Sequence, residues 1–181
     1  MQQFRPDLRR SRLTEVTPED IRQLGASVIL LDADNTSSYD NTTKPLPGTP
    51  EWVQRMKDAG FRILLLSNAK PDRAGKLAEQ YDIPVVGLAA KPLPFGFRRA
   101  AGKMHCRMSD MVMIGDQLFT DIRGANRVGV RSIFVERYQK EERKPYYYPF
   151  VRLAETVLLF GQDVADWVRG KDTETKEGTK R

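Results

Sequence analysis

Short apolar runs alternate along the chain with longer stretches whose apolar residues recur at helical spacing. The runs are too short for buried helices and predict buried strands at 27–31, 63–66, 83–88, 111–114 and 132–135. Helix-start signals (a threonine, a proline and then acids) precede two of the longer stretches, at Thr17 and Thr49. Further helices are predicted at 71–80, 94–104 and 121–128. This alternation predicts an α/β fold, a Rossmann-like parallel sheet with helices on both faces.

The pattern changes after residue 135. Residues 137–150 are basic and aromatic, and residues 151–169 show apolar positions at helical spacing. The last residues are polar. We therefore predict a basic N-terminal segment at 1–16, a single domain at 17–169 and a disordered tail at 170–181.

Composition narrows the classes of protein and of site. The net charge of +6 favours anionic partners, although a solubilising surface explains it equally well. The single cysteine, Cys106, excludes a disulfide framework and a cysteine-based zinc site. No apolar run reaches about 18 residues, and the basic N-terminus lacks the apolar stretch of a signal peptide. We expect a cytoplasmic protein.

Polar residues follow four of the predicted strands, where an open α/β sheet binds its ligands. The groups expected at this edge are Asp32, Asp34, Ser67, Asn68, Lys91, Asp116 and Asp121. Carboxylates packed closely repel one another unless a cation lies between them, and an oxygen-only set favours Mg²⁺. The lysine and the hydroxyl would then hold an anion, for which phosphate fits best.

The spacing of the first two acids suggests a division of roles. Asp32 and Asp34 lie two positions apart, so in an extended segment they point the same way. One can serve as a nucleophile and the other as a general acid and base, if their surroundings separate their pKa values.

These residues resemble a known family. Asp32-x-Asp34-x-Thr36, Ser67, Lys91 and Asp116-x-x-x-x-Asp121 are similar, in order and in position, to the four motifs of the haloacid dehalogenase-like (HAD) phosphatase superfamily. The stretches TPEDIRQLG, SNAKPDR and GDQLFTDIRGANRVGV resemble more narrowly the YqeG-type branch of its class III phosphatases. The resemblance covers roughly residues 5–160.

The resemblance implies a role for each residue. Asp32 would attack phosphorus and form an aspartyl-phosphate, while Asp34 would protonate the leaving oxygen and later accept a proton from water. The Asp32 carboxylate, the Asp34 carbonyl and Asp116 would hold Mg²⁺. Ser67, Asn68 and Lys91 would bind the phosphoryl oxygens. Asp121 and Thr36 would organise these groups without touching the ion or the substrate.

The chain also departs from the family pattern next to the first motif. Ala33 stands where leucine or valine is common, and Ser37 where an apolar residue usually follows Thr36. The chemical groups are intact, so the departure concerns how the loop over the site packs.

Many relatives carry a cap domain over the site, but the connections here are too short for one. About a dozen residues separate Thr36 from Gly48, and the stretch from Ser67 to Lys91 has room for one helix and one strand. We therefore expect a capless HAD fold with an open site, suited to a large or surface-borne substrate.

A lipid-borne phosphate monoester is the leading hypothesis for that substrate. This branch is similar to eukaryotic phosphatases that act on phosphatidylglycerophosphate. Cations and aromatic side chains mix at 143–152, as at a membrane interface, and a second basic segment carries Arg5, Arg9, Arg10 and Arg12. A basic surface loop is an equally good interpretation. The hypothesis places the protein in the cytoplasm with peripheral contact at the anionic inner membrane surface.

Two alternatives stay open. A soluble nucleotide or sugar-phosphate phosphatase would keep the chemistry and change the substrate. A non-catalytic module associated with RNA or protein would use only the basic surface, but no RNA-binding motif is visible and a nucleic-acid partner is not expected.

Overall fold

The computed structural model describes residues 2–138 and Val157. Contacts within the chain divide it into two units, Met1–Glu141 and Glu142–Arg181, and the first contains the sheet described below. The predicted cation–aromatic segment at 143–152, the rest of the predicted helix at 151–169 and the tail at 170–181 lie outside the described residues.

Six strands form one sheet in which every neighbouring pair is parallel. In chain order they are β1 (Leu8–Arg10), β2 (Val28–Leu31), β3 (Arg62–Leu66), β4 (Val85–Val86), β5 (Met111–Gly115) and β6 (Arg131–Val135). Their order across the sheet is β1-β6-β5-β2-β3-β4. The central strands β5, β2 and β3 therefore lie side by side.

Helices cover both faces of this sheet. They are α1 (Pro18–Gln23), α2 (Thr49–Asp58), α3 (Pro71–Tyr81), α4 (Pro94–Met104) and α5 (Arg123–Arg127). Alternate strand residues form two separate cores: Ile29 and Leu31 pack with residues of α1, α2 and α3, whereas Val28 and Leu30 pack with residues of α4 and α5. Because side chains of a strand alternate between faces, an all-apolar β2 needs cover on both sides. The predicted Rossmann-like α/β fold is confirmed.

Three elements differ from the sequence pattern. Strand β1 was not predicted, because its segment LRR has no apolar run and is recruited by parallel pairing with β6. The strand predicted at 83–88 is reduced to the two residues of β4. The helix predicted at 121–128 is a π-helical turn, Leu118–Ile122, followed by the short α5.

The N-terminal arginines have partners within the fold. Arg10 donates from Nε and Nη2 to the Asp20 carboxylate at 3.2 and 2.5 Å, which ties β1 to α1. The Arg12 guanidinium lies 5.2 Å from the centroid of the Tyr138 ring. None of the helices that the structure describes is long and apolar enough to cross a membrane.

The connections at the carboxyl edge contain no cap domain. Residues 36–48 form only isolated bridges, at Ser38 and Pro45, and residues 67–91 contain only α3 and β4. The capless fold predicted from the loop lengths is therefore the observed one.

Helix α4 fixes the loop that precedes it through one close contact. A Cβ atom at Gly96 would overlap the Ala89 carbonyl, so only glycine lets the first turn of α4 pack onto this loop. The loop carries Lys91, which makes Gly96 a determinant of where the lysine lies.

We expect Gly96→Ala to destabilise the protein by about 1–3 kcal/mol, because the added methyl must displace backbone. Gly102→Ala is the matched control, since this glycine of the same helix has nothing within 4 Å of the added Cβ. It should stabilise by about 0.5–1 kcal/mol through helix propensity. Urea unfolding of both variants measures the difference, and equal effects would contradict the packing argument.

Candidate active site

The polar groups of the three central strands meet at the carboxyl edge of the sheet. Asp32 directly follows β2, Ser67 follows β3 and Asp116 follows β5. The Asp32 backbone N–H donates to the Ile114 carbonyl at 3.0 Å, which continues the pairing of β2 with β5 to this point. The three side chains lie at one edge because their strands are parallel neighbours.

A buried lysine joins two of the predicted acids. Lys91 Nζ lies 2.6 Å from Asp32 Oδ1 and 2.7 Å from Asp121 Oδ1. All three side chains are less than one-tenth exposed. Charged hydrogen bonds in such a low-dielectric site are strong, and losing one partner leaves a buried charge unpaired.

Asn68 holds the backbone of this lysine. Its Nδ2 donates to the Lys91 carbonyl at 3.1 Å, and its Oδ1 accepts the Lys91 N–H at 2.8 Å. Both polar atoms of the amide are thus used on the Lys91 backbone. Its predicted hydrogen bond to phosphate stays a prediction, and the contact observed is one that positions Lys91.

The Asp121 carboxylate folds back over the end of β5. Its Oδ2 accepts the Gln117 N–H at 3.1 Å. A Cβ atom at Gly115 would collide with this carboxylate, so the close approach requires glycine. Asp116 lies beside it, fully buried, with Arg137 Nε 3.2 Å from Asp116 Oδ2. The Asp121 carboxylate is therefore a member of the acidic cluster and does not only contact its members from outside.

Burial and like charge shift the ionisation of the cluster. Burial raises the pKa of Asp32 to about 7; the Asp121 charge adds to this and Lys91 opposes it. Burial likewise raises the pKa of Asp121, against the effect of Lys91. Burial alone would lower the pKa of Lys91, but the charges of Asp121 and Asp32 outweigh it and raise that pKa above its ordinary value. The Lys91 amine therefore stays protonated beside two carboxyl groups whose ionisation is disfavoured.

Three acids of the cluster can hold a metal ion. One carboxylate oxygen from each of Asp32, Asp116 and Asp121 lies within 4.8 Å of the others, and all three residues are buried. An all-oxygen donor set with this excess of negative charge fits a hard divalent cation such as Mg²⁺. The Asp34 carboxylate is not part of this group.

Asp34 is instead held by a residue that the sequence pattern did not single out. Arg73 donates from Nη1 to Asp34 Oδ1 at 2.6 Å and from Nη2 to Oδ2 at 2.7 Å, and the Asn41 N–H donates to Oδ1 at 2.8 Å. Each side chain of the ion pair is about one-fifth exposed, at 22% and 23%. Because two N–H groups of the planar guanidinium bind the two carboxylate oxygens, they fix the plane of the carboxylate as well as its distance.

The sequence did contain a weak signal for Arg73. It lies in the first turn of α3, where the helix dipole disfavours a cation. An acidic partner offsets this unfavourable effect, and the side-chain hydrogen bond to Asp34 raises the pKa of Arg73. Which acid it would reach depends on the path of a loop that the sequence pattern does not fix.

The serine that departs from the family pattern has a structural role. Ser37 Oγ donates to the Asp32 carbonyl at 2.7 Å, and the Ser37 carbonyl accepts from the Tyr81 hydroxyl at 2.6 Å. The hydroxyl of Ser37 thus makes a hydrogen bond to the backbone of Asp32 that an apolar residue could not make, whereas the bond from Tyr81 uses the Ser37 backbone. Thr36 is also buried, and its Oγ1 has no hydrogen-bond partner among the described residues.

The structure thus brings most of the predicted residues to one edge, in two groups. Lys91, Asp32, Asp116 and Asp121 form the buried cluster, beside which Ser67 Oγ accepts the Ala69 N–H at 3.1 Å. Asp34 is engaged by Arg73 at the more exposed side. The individual roles given to these residues stay predictions.

A family model described as haloacid dehalogenase-like hydrolase matches residues 2–129, which is more than half of the chain. The chain belongs to the haloacid dehalogenase-like hydrolases. The predicted family and the predicted enzyme class, a HAD hydrolase that acts on phosphate esters, are therefore confirmed.

Two curated proteins are informative relatives of this chain. The chain is 34% identical over 132 residues to a protein of Bacillus subtilis named probable phosphatase YqeG, which covers 73% of this chain and 77% of the relative. It is 27% identical over 151 residues to phosphatidylglycerophosphate phosphatase 1, chloroplastic/mitochondrial, of Arabidopsis thaliana, which covers 78% of this chain but 43% of the relative.

A solved structure shows a similar fold. An uncharacterized protein from Listeria monocytogenes serotype 4b superposes with a TM-score of 0.53 at 18% identity and covers 76% of this chain and 99% of its own. At this identity the likeness concerns the fold alone.

The raised pKa of Asp32 predicts a pH-dependent stability in the metal-free protein. The native state keeps a proton up to pH near 7 that the unfolded chain releases near pH 3.8. The free energy of unfolding should therefore fall as pH rises from about 4 to about 7. In Asp32→Asn this contribution is absent, so the difference between the two proteins should grow across that window.

Denaturant unfolding in a chelator at several pH values measures this difference. Parallel pH profiles for the two proteins would mean that Asp32 is ionised in the fold as readily as in water, and that burial does not control it.

Proposed function

We propose that this HAD hydrolase is a Mg²⁺-dependent phosphatase that cleaves a phosphate monoester through an aspartyl-phosphate on Asp32. The observation that carries the proposal is the buried contact of Lys91 Nζ with Asp32 Oδ1 inside a cluster of three acids. It orients a carboxylate at the open edge of the sheet and places a fixed positive charge next to it. Phosphoryl transfer depends mainly on such positioning and charge neutralisation.

The acidic cluster supplies the proposed cation site. Asp32 and Asp116 would hold Mg²⁺ together with the Asp34 carbonyl, and the position of Asp121 supports it as a further neighbour of the ion. The bound ion would supply charge neutralisation for the phosphoryl oxygens and for the attacking carboxylate.

The proposed reaction has two steps. An Asp32 carboxylate oxygen attacks phosphorus, the bond from phosphorus to the ester oxygen breaks, and Asp34 gives that oxygen a proton. Water then attacks phosphorus while Asp34 accepts a proton from it, the bond from phosphorus to Asp32 breaks, and inorganic phosphate leaves. Lys91 and Ser67 would bind phosphoryl oxygens in both steps.

Arg73 acts in this proposal as a positioning residue for Asp34. A carboxylate two residues beyond the nucleophile lies on a loop, and proton transfer requires it within hydrogen-bond reach of the ester oxygen. The double contact with Arg73 and the N–H of Asn41 restrict its orientation before substrate arrives.

The proposed substrate is a phosphate monoester on a lipid, with phosphatidylglycerophosphate as the leading candidate. The short connections over the site and the Arabidopsis relative support it. A soluble sugar phosphate is the second candidate, because relatives in Pyrococcus furiosus and Halopiger xanaduensis are named glyceraldehyde 3-phosphate phosphatase and ribulose-1,5-bisphosphate 5-phosphatase. The chain spans only 62% and 48% of those proteins.

The proposal includes peripheral contact with an anionic membrane on the cytoplasmic side. Arg10 and Arg12 each have an intramolecular contact, which weakens the case for the N-terminal segment as the membrane contact. The predicted contact at 143–152 lies outside the described residues.

We expect purified protein to release phosphate from phosphatidylglycerophosphate in mixed micelles with Mg²⁺, and EDTA to abolish this release. Asp32→Asn should lower kcat by at least about 10³-fold, since it removes the nucleophile. Acid quenching with ³²P-labelled substrate should trap a phosphorylated wild-type protein but no phosphorylated Asp32→Asn. Turnover without a metal ion, or full activity of Asp32→Asn, would contradict the mechanism.

The same assay separates the two substrate classes. Release from glycerol 3-phosphate or a pentose bisphosphate with none from the lipid would replace the lipid by a soluble substrate and leave the chemistry intact.

Arg73→Met should lower kcat for alkyl esters such as glycerol 3-phosphate by about tenfold or more, because a misplaced Asp34 protonates their oxygen poorly. p-Nitrophenyl phosphate, whose leaving group needs little protonation, should be affected much less. Arg73→Lys should restore only part of the lost kcat, because an ammonium group cannot bind both carboxylate oxygens in the planar geometry of a guanidinium.

Lys76→Met is the matched control, since it removes one exposed cation from the same helix. It should change neither substrate's kcat by more than about twofold. An equal loss for both substrates in Arg73→Met would assign Arg73 a structural role instead.

A further inference from the structure

Three large apolar side chains project from the loop that carries Lys91 and from the helix after it. Leu88, Leu93 and Phe95 are 54%, 53% and 59% exposed, and they are called the apolar rim below. They bracket Lys91, whose Nζ reaches Asp32 in the buried cluster. The rim residues therefore belong to the same short segment, 88–95, as the lysine that reaches into the site.

The rim is held in place by its surroundings. The Leu88 N–H donates to the Ala69 carbonyl at 2.9 Å, and the Leu93 N–H donates to the Ala90 carbonyl at 2.8 Å. Leu88 has a φ of 45°, a left-handed conformation that is uncommon for leucine. A leucine held exposed in an unfavourable conformation by defined hydrogen bonds indicates a surface feature of fixed shape.

Two exposed arginines follow the rim closely in the chain. Between Asp82 and Asp110 the chain contains five lysines and arginines and no acid. Arg98 and Arg99 are exposed in α4, the helix that contains Phe95. The Arg99 guanidinium lies 5.4 Å from the centroid of the Phe95 ring and donates to the Gly87 carbonyl at 3.1 Å. The rim thus combines apolar side chains with a basic border.

We propose that the apolar rim of Leu88, Leu93 and Phe95, with Arg98 and Arg99, docks the protein onto an anionic lipid surface and delivers the site to a phosphate carried by that surface. The inference rests on the proposed lipid-borne substrate. Apolar side chains that enter the acyl boundary with arginines at the headgroup level are typical of interfacial binding.

The location of the rim favours a lipid surface over a protein partner. Its residues flank the lysine that reaches the site, so a membrane that carries the proposed substrate can present the phosphate where the protein docks, whereas a protein partner supplies no such phosphate. The charge border fits anionic headgroups in particular. The rim lies among the described residues, so the proposal is independent of the segment at 143–152.

The test compares the full chain with a triple variant, Leu88→Asn, Leu93→Ser and Phe95→Ser. Asparagine is chosen at Leu88 because it adopts the left-handed conformation readily. All three side chains are more than half exposed, so the fold should persist, which thermal unfolding checks. Binding is measured by co-sedimentation with vesicles of phosphatidylcholine alone and with vesicles that also contain about 30% phosphatidylglycerol, an anionic lipid.

Wild-type protein should prefer the anionic vesicles by tenfold or more, and the triple variant should lose at least tenfold of that binding. Val157→Ser is the control, since it removes an exposed apolar side chain from the other unit of the chain and should bind within twofold of wild type. Equal binding by wild type and triple variant, or no binding by wild type, would overturn the proposal.

Two further readouts separate the possible causes. Phe95→Trp should show a blue shift of tryptophan emission on anionic vesicles relative to wild type, and no shift would count against insertion. If size-exclusion chromatography shows that the triple variant converts a dimer to a monomer while vesicle binding is unchanged, the rim is a contact between copies of this chain and the lipid proposal fails.

Failure here is distinguishable from failure of the proposed function. If the wild-type protein hydrolyses p-nitrophenyl phosphate in a Mg²⁺-dependent reaction but does not bind vesicles, the proposed phosphatase chemistry is supported. Only the proposed docking surface is then wrong.

Discussion

The buried amine of Lys91 neutralises part of the charge that Asp32, Asp116 and Asp121 bring to one edge of the sheet. Carboxylates whose oxygens lie within 4.8 Å of one another cannot all ionise in a dry site without a cation. Lys91 meets this constraint for two of them, at 2.6 and 2.7 Å, and Arg137 Nε lies 3.2 Å from the third. Three carboxylates thus face two cations, and the remaining negative charge suits a divalent ion. The Asn68 amide and the Gly96 contact matter because they fix the loop from which this amine reaches the acids.

A second layer of contacts connects the loop after β2 to α3. Arg73 holds the Asp34 carboxylate, Gln80 donates to the Thr43 carbonyl at 2.8 Å and Tyr81 donates to the Ser37 carbonyl at 2.6 Å. The helix thus restrains the loop at its first and last turns. These contacts explain how a site without a cap domain keeps the Asp34 carboxylate in a defined place. The restraint comes from α3, which packs against the loop, and not from a domain that covers the site. The opening stays free for a bulky substrate.

The same absence of a lid has a consequence for substrate choice. A capless site encloses little of its substrate, so recognition has to come from the surface around the opening. In this chain the segment around Lys91 has an unusual composition, because the apolar rim lies within a stretch of 27 residues that contains no acid. The reaction at the buried cluster and the recognition of substrate by the surrounding surface therefore depend on different residues. Either proposal can hold if the other fails.

Apolar periodicity and the residues at strand ends were enough to predict the parallel sheet, the helices at 71–80 and 94–104 and the meeting of Asp32, Ser67, Lys91 and Asp116 at one edge. These follow from local pattern and from the geometry of parallel strands, which sequence spacing records directly. Strand β1 could not be predicted, because its pairing with β6 joins residues more than 120 positions apart and its sequence carries no apolar run. The contact of Arg73 with Asp34 and the place of Asp121 inside the acidic cluster likewise depend on the path of loops. The sequence alone determined which groups the site contains, and the tertiary structure decided which of them touch, because contact between distant side chains is set by packing and not by spacing along the chain.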